Sequence, residues 1–107
     1  MTFRVNLTDA AKDDIRAILR WIAERSPDGA EAWYGRWLAV LESLKEGGAS
    51  FGLAPESEDH SESIRQVVFR TKRGRRYRAL FSVRDDQVFV LHVRGPGQRL
   101  LRPDEME

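Results

Sequence analysis

The sequence lacks cysteine, and only two of its 107 residues are histidines, His60 and His92. The absence of cysteine excludes a disulfide scaffold, thiol catalysis and every zinc site that needs thiolates. Two histidines leave few ligands for any other metal, so we expect neither a metal nor a cofactor. With 33% charged residues the chain is too polar for a membrane span, and with 41% apolar residues it is too apolar for intrinsic disorder. The N-terminus also lacks the basic-then-apolar pattern of a secretory signal, which favours a cytoplasmic location.

What remains is the composition of an ordinary globular protein. A chain of this length suits a single domain, residues 1–107, and the sequence shows neither an internal repeat nor a linker. Such a chain can bury about 60–65% of its unfolded surface, which is enough for a core without metal or disulfide staples.

The first half of the chain predicts a strand and two helices. Alternating Phe3, Val5 and Leu7 predict a strand over Thr2–Leu7, and Thr8 or Asp9 can cap the helix that follows. This helix is expected to run to about Arg25, because apolar residues recur at helical spacing at Ala11, Ile15, Ile18, Leu19 and Ile22.

Ser26 and Pro27 indicate that a second helix starts at once, with Ser26 as its N-cap and Pro27 in its first turn. Gly47-Gly48 ends it. Its predicted core stripe consists of Trp33, Trp37, Val40, Leu41 and Leu44. Because so few residues join the helices, they should form an antiparallel hairpin. Trp21 lies off the apolar stripe of the first helix and is free to face a partner.

The second half of the chain changes to a period of two. A polar segment, Gly52–Ser63, is expected to be a mobile loop. Strands are predicted at Ile64–Arg70, Arg76–Val83 and Val88–Arg94, with turns between them and a polar tail over Gln98–Glu107. The predicted fold class is therefore α+β: an N-terminal strand and a helical hairpin packed on a small, twisted, mainly antiparallel sheet, in the order β-α-α-β-β-β.

Alternation assigns side chains to the two faces of this sheet. If Tyr77, Ala79 and Phe81 face the core, the opposite face carries Arg76, Arg78 and Leu80. The last strand is apolar on both faces, which suits a central position in the sheet. Its predicted faces are Val88 and Val90 on one side, and Phe89, Leu91 and Val93 on the other.

Charge changes sign abruptly along the middle of the chain. Pro55–Ser63 contains four acidic residues and no basic one, and the next stretch contains seven cations and no acid. Such a block is a candidate surface for nucleic acid or an acidic protein segment, and the alternative is a solvated hairpin with charges that protect a strand edge. The candidate binding residues are Arg70, Lys72, Arg73, Arg75 and Arg76.

Local motifs in this order resemble a known family. They are Ala11–Ile15, Trp21–Glu24 and Leu41–Leu44 in the helices, then Gly74–Val83, the acidic turn Asp85-Asp86, and Val88–Arg94. The chain resembles the RelE/ParE superfamily, the toxins of bacterial type II toxin–antitoxin pairs, over nearly its whole length. The resemblance implies either a RelE-like mRNA interferase, which cuts message on the ribosome without a metal, or a ParE-like inhibitor of DNA gyrase. It also implies a co-encoded antitoxin that wraps the toxin in a complex.

Metal-free RNA cleavage would need arginines to stabilise the charge on the phosphate. The resemblance places Arg78 near the scissile phosphate, with Arg65, Arg94 and Arg99 as further catalytic candidates; the alternative for each is a surface or ion-paired arginine. RelE-like enzymes usually add a C-terminal tyrosine or histidine, and Gln98–Pro103 contains neither. His92 is the one imidazole nearby, and its alternation with Val88 and Val90 favours a structural role.

Three functions therefore stay open. A ParE-like toxin that inhibits growth by binding gyrase is favoured, in the manner of plasmid stabilisation proteins, because the catalytic tyrosine is missing. The alternatives are a RelE-like endoribonuclease, which would make the chain an enzyme, and a nucleic-acid-binding module or inactive family member. The seven cations between Arg65 and Arg78 form what we call the basic hairpin. Its partner is expected to be an acidic and apolar antitoxin chain.

Overall fold

A computed structural model describes residues 2–105. Two helices pack on one face of a four-stranded sheet, which confirms the predicted α+β class. The strands and helices are β1 (Arg4–Leu7), α1 (Asp9–Arg25), α2 (Pro27–Gly47), β2 (Arg65–Phe69), β3 (Tyr77–Arg84) and β4 (Gln87–Arg94). Each lies within two residues of the segment that the sequence predicted.

Side-chain caps fix where the helices begin. The Thr8 hydroxyl accepts a hydrogen bond from the Ala11 backbone N–H at 3.1 Å, and the Ser26 hydroxyl accepts one from Gly29 at 2.9 Å. Ser26 also donates its own backbone N–H to the Ile22 carbonyl, so that one residue ends α1 and caps α2. The helices consequently turn sharply and pack against each other, as predicted.

The sheet has the strand order β1-β4-β3-β2, with β1 parallel to β4 and the other pairs antiparallel. The central position of β4 agrees with its apolar residues on both faces. Asp85 and Asp86 form the two-residue turn between β3 and β4, and Asp85 adopts a φ of 56°, which aspartate tolerates better than most residues. Asp85 and Asp86 thus form the acidic turn that the sequence indicates.

The inner face of the sheet is the face that the helices cover. Its core contains the predicted stripes of both helices together with Phe3, Val5 and Leu7 of the first strand region. Trp33 stacks on Trp37 with ring centroids 6.3 Å apart; it also forms a tilted pair with Phe69 at 5.6 Å and a T-shaped pair with Tyr77 at 5.5 Å. Trp33 and Trp37 are therefore core residues, and Trp21 is 56% exposed.

A β-bulge corrects one prediction about β4. Leu80 pairs with His92 but the next residue, Phe81, pairs with Val90, so Leu91 is an extra residue in the strand. The extra residue reverses the alternation beyond it. Val93 therefore joins Val88 and Val90 in the inner core, and not Phe89 and Leu91 as predicted. His92 lies opposite Leu80 and does not share the face of Val88 and Val90.

The outer face of the sheet is covered by chain that the sequence analysis expected to be mobile loop and polar tail. The covering loop, residues 52–63, packs Ala54 against this face, and the C-terminal segment adds Leu101. Both residues join a small apolar cluster with Ile64, Leu80 and Leu91. The loop also pairs with the start of β2, through Ala54 N–H to the Ile64 carbonyl at 2.7 Å. Residues 52–63 are therefore packed against the sheet, and part of the tail belongs to the fold.

Candidate functional site

Arg78 lies on the outer face, as alternation predicted, but its guanidinium is already occupied. Its two terminal nitrogens donate to the two carboxylate oxygens of Glu56 at 2.8 and 2.7 Å, and Nη1 also donates to Gln66 at 3.0 Å. The Glu56 side chain is fully buried and Arg78 retains 21% exposure. A two-pronged pair of this kind fixes both partners in position.

Glu56 remains ionised in this environment. Burial alone would raise the pKa of its carboxyl, but hydrogen bonds from Arg78 and backbone N–H groups, with the charge of Arg78, lower the pKa below its usual value. The Leu101 backbone N–H also faces this carboxylate, at 3.4 Å. Glu56 therefore ties together β3, the covering loop and the C-terminal segment.

Of the other three catalytic candidates, the structure places Arg94 next to Arg78 and to the Arg99 backbone. Arg94 lies directly across from Arg78 on β4 and donates to the Arg99 carbonyl at 3.0 Å. The Arg99 guanidinium itself points to Glu105, in a pair at 2.7 and 2.8 Å. That pair, with the Arg102 N–H, lowers the pKa of Glu105 to about 2.

Arg65 lies on the other face of the sheet. It pairs in register with Phe81, whose side chain belongs to the inner core, and its guanidinium donates to the Phe51 carbonyl. The sheet therefore separates Arg65 from Arg78. These two arginines cannot hold one phosphate between them.

His92 connects the first helix to the C-terminal segment. Its Nδ1 lies 3.0 Å from an Asp14 carboxylate oxygen and its Nε2 lies 2.8 Å from the Glu105 carbonyl. Both partners are acceptors, so only the doubly protonated imidazolium can donate to both. The hydrogen bond to Asp14 accordingly raises the pKa of His92. This geometry gives His92 a structural role, which agrees with the interpretation favoured from the sequence.

The five cations assigned to binding divide between two sides of the β2–β3 turn. The turn is tight, because Gly74 donates its N–H to the Thr71 carbonyl and a Cβ at Gly74 would lie 2.2 Å from the Thr71 hydroxyl. Arg73 and Arg75 face a groove beside α1. Arg70, Lys72 and Arg76 face the opposite side, towards α2.

The groove beside α1 has a volume of about 700 Å³ and is lined by α1, the turn and residues 95–98. Ile18, Ile22 and Val93 give it an apolar floor, and Arg73 and Arg75 stand at its margin. We call it the apolar groove.

Two aromatic residues of the apolar groove have unused binding capacity. Trp21 is exposed at the edge of the groove, and the Arg25 guanidinium stacks on its ring with 3.8 Å to the ring centroid. Trp33 lines the groove, and its buried indole N–H has no hydrogen-bond partner within residues 2–105. A segment that offers apolar side chains and carboxylates fits the exposed features of the groove.

Other kinds of site find no support in residues 2–105. These residues contain no group of three or more side chains suited to hold a metal, and none of their helices is long and apolar enough to cross a membrane. Within the described part of the chain, the outer face offers arginines but no free proton-transfer group beside them, since His92 is held by Asp14 and Glu105. The arrangement is therefore suited to binding more than to acid–base chemistry.

Sequence reasoning missed Glu56 and Asp14. One signal for Glu56 was the acidic stretch directly before the cationic one, because two of its members pair with arginines 22 positions later: Glu56 with Arg78, and Glu62 with Arg84. Asp14 gave no such signal. Its carboxylate accepts a hydrogen bond from the Val93 backbone N–H, near the C-terminal end of β4.

The comparisons with known proteins agree with this architecture. The family described as "ParE toxin of type II toxin-antitoxin system, parDE" matches residues 5–99, which include both helices and all four strands except Arg4. No curated protein matches the sequence significantly.

Proposed function

Because the chain belongs to the ParE toxin family of type II toxin–antitoxin systems, we propose that it inhibits growth by binding DNA gyrase in the cytoplasm, and that it does not cut RNA. The observation that carries this proposal is the pair between Arg78 and the buried carboxylate of Glu56. The arginine best placed for phosphate chemistry is used to hold the fold together.

Three features argue against RNA cleavage on the outer face. The charge of Arg78 is neutralised by Glu56, the surface around Leu80 is covered by Ala54 and Leu101, and Arg65 lies on the opposite face. The segment after Arg94 adds arginine but no tyrosine or histidine. Arginine stabilises charge but is a poor general base, and loss of a proton-transfer group costs about 10²–10⁴ in rate.

The apolar groove is the proposed docking surface for the antitoxin. An acidic, amphipathic segment would place apolar side chains on Ile18 and Ile22 and carboxylates beside Arg73 and Arg75. Apolar anchors supply most of the affinity in such a groove, and the charges increase the association rate. Binding would also stabilise the toxin by mass action.

Expression of the chain alone, and together with its neighbouring gene, tests the toxin function. We expect induction to slow growth and co-expression to restore it. Primer extension on messages from induced cells, and gyrase-dependent DNA breaks in the same cells, then separate the two targets. DNA breaks with intact messages support gyrase. Sharp cuts inside codons would contradict the proposal and favour the RelE-like interferase, for which the adjacency of Arg78 and Arg94 is the one favourable observation.

Binding of the antitoxin to variants of the purified chain tests the groove. Trp21→Ala and Arg73→Glu should each raise the dissociation constant at least tenfold, and Arg73→Glu should mainly slow association at low salt. Arg20→Glu is the matched control, because Arg20 is an exposed cation of α1 that does not line the groove. Equal weakening by Arg20→Glu would contradict a specific role of the groove.

A further inference from the structure

We propose that the opposite side of the β2–β3 turn binds the phosphate backbone of duplex DNA. This cationic patch consists of Arg36 on α2 together with Arg70, Lys72 and Arg76, and its side chains surround a cavity of about 440 Å³. All four residues are exposed. The patch is distinct from the apolar groove, and the proposal does not depend on gyrase as the target.

None of the four cations has an acidic partner within residues 2–105. Elsewhere in this region Arg16, Arg78, Arg84 and Arg99 each pair with a carboxylate at 2.7 Å. Among the residues that the structure describes, no acidic side chain lines the cavity of the patch. Cations that repel one another and are not neutralised within the fold create the positive potential that a polyanion requires.

Arg36 distinguishes this patch from charges that merely protect a strand edge. Cations near β2 would be expected for protection alone, because β2 is an edge strand of the sheet. Arg36 lies on a helix, where an acid three or four positions away would normally pair with it. Those positions hold Ala32, Trp33, Ala39 and Val40, so the helix offers Arg36 no partner.

The side chains that surround Arg36 on the surface of α2 are also small. Ala32, Gly35 and Ala39 are exposed and small, and a Cβ at Gly35 would meet nothing within 4 Å. Glycine is a weak helix former, and packing against the rest of residues 2–105 does not require it at this position. A broad, rigid polymer can therefore approach the α2 backbone and reach Arg36 without a clash.

The chemistry of the patch fits a duplex better than a peptide or a single strand. Of the described residues, Val68 is the one exposed apolar side chain that lines it, whereas a peptide would need several anchors. Phe69 also lines it but is buried in the inner core, so the lining within residues 2–105 offers no exposed aromatic ring to stack on a base. Backbone contacts from Arg and Lys bind duplex DNA without reading its sequence.

Fluorescence anisotropy with a labelled DNA duplex of about two helical turns tests the proposal, with the purified full-length chain at several salt concentrations. If all four cations contact phosphates, the plot of log K against log salt should have a slope of about −3.6. Affinity should then fall on the order of a hundredfold between 50 and 200 mM salt. Arg36→Ala and Lys72→Ala should each make the slope shallower by about 0.9.

Arg73→Ala and Arg75→Ala are the matched controls, because they remove the same charge from the groove side of the turn. They should leave the slope of the salt plot unchanged, and thermal melting should show that every variant is folded. Three results would overturn the proposal: no binding at 50 mM salt, equal loss in the control variants, or tighter binding to single-stranded RNA than to the duplex. The first would leave protection of the β2 edge as the role of the strand cations.

Discussion

The two faces of the sheet are stabilised by different interactions. On the inner face, aromatic rings and aliphatic side chains of α1 and α2 form a large core in which Trp33 and Trp37 are 2% exposed. On the outer face, a small apolar cluster surrounds the pair between Glu56 and Arg78, and His92 and Arg99 hold the C-terminal segment through Glu105. Loss of side-chain volume should therefore lower the free energy of unfolding most on the inner face, and loss of charge should lower it most on the outer face.

The largest effect should come from an inner-face cavity. Trp37→Ala should lower the free energy of unfolding by about 3–5 kcal/mol, because the ring is buried and the surrounding core cannot fully collapse into the space. Leu101→Ala on the outer face should cost about 2 kcal/mol, at the low end for leucine. Urea unfolding of both variants measures the difference. An equal loss of stability in the two variants would contradict the expected difference between the two faces.

Breaking the buried ion pair should come next. Glu56→Leu should cost about 3 kcal/mol, because it leaves the Arg78 guanidinium without its partner, and Arg78 reaches solvent with only part of its surface. The double variant Glu56→Leu with Arg78→Met should recover much of that loss, since no charge remains buried. Additive losses in a double-mutant cycle would show that charge does not stabilise the outer face.

The pH dependence of stability should provide a smaller difference between the two faces. The pKa of His92 is raised above its usual value, so its contribution to stability is complete below about pH 6.5 and is lost as the pH rises through the folded-state pKa. We expect a loss of about 1 kcal/mol, the value of one hydrogen bond.

The hydrogen-exchange protection factors of residues 99–105, which are corrected for the intrinsic rise of exchange with pH, should fall over the same pH range, while those of α2 do not change. Asp14 and the Glu105 carbonyl favour the cationic imidazole, and Arg94 opposes it. His92→Gln should abolish the dependence. A pH-independent tail in the unaltered chain would contradict the role assigned to His92.

The smallest effect should come from the exposed counterpart of the buried pair. Glu62 and Arg84 are also 22 positions apart and also form two hydrogen bonds, at 2.9 and 2.7 Å, but Arg84 is 54% exposed. Glu62→Ala should therefore cost less than about 1 kcal/mol. A loss as large as that of Glu56→Leu would mean that burial does not set the strength of these pairs.

Sequence patterns predicted the elements of this fold well, because helix caps and apolar periodicity act over a few residues. Ser26 and Pro27 placed the helix boundary, and alternation in β3 placed Arg78 opposite Tyr77 and Ala79. Alternation failed only beyond Leu91, where one extra residue shifts the phase and no local pattern reveals it.

The candidate site was less predictable, because its contacts are distant in the sequence. The pair between Glu56 and Arg78 depends on a loop that folds back over the sheet, and the contact between Asp14 and His92 spans 78 positions. Charge counting found the five cations of the basic hairpin. It could not show that a tight turn at Gly74 sends Arg73 to one surface and Lys72 to another.

The pairing of β1 with β4 has a consequence for how the protein is made. The Thr8 hydroxyl donates to the Leu91 carbonyl, 83 positions away, and β1 has no other neighbour in the sheet. β1 can therefore take its place in the sheet only after β4 has left the ribosome. Contacts so distant in sequence form late, because the intervening chain must first be ordered. Any activity that needs the finished sheet consequently begins only after synthesis has passed Arg94.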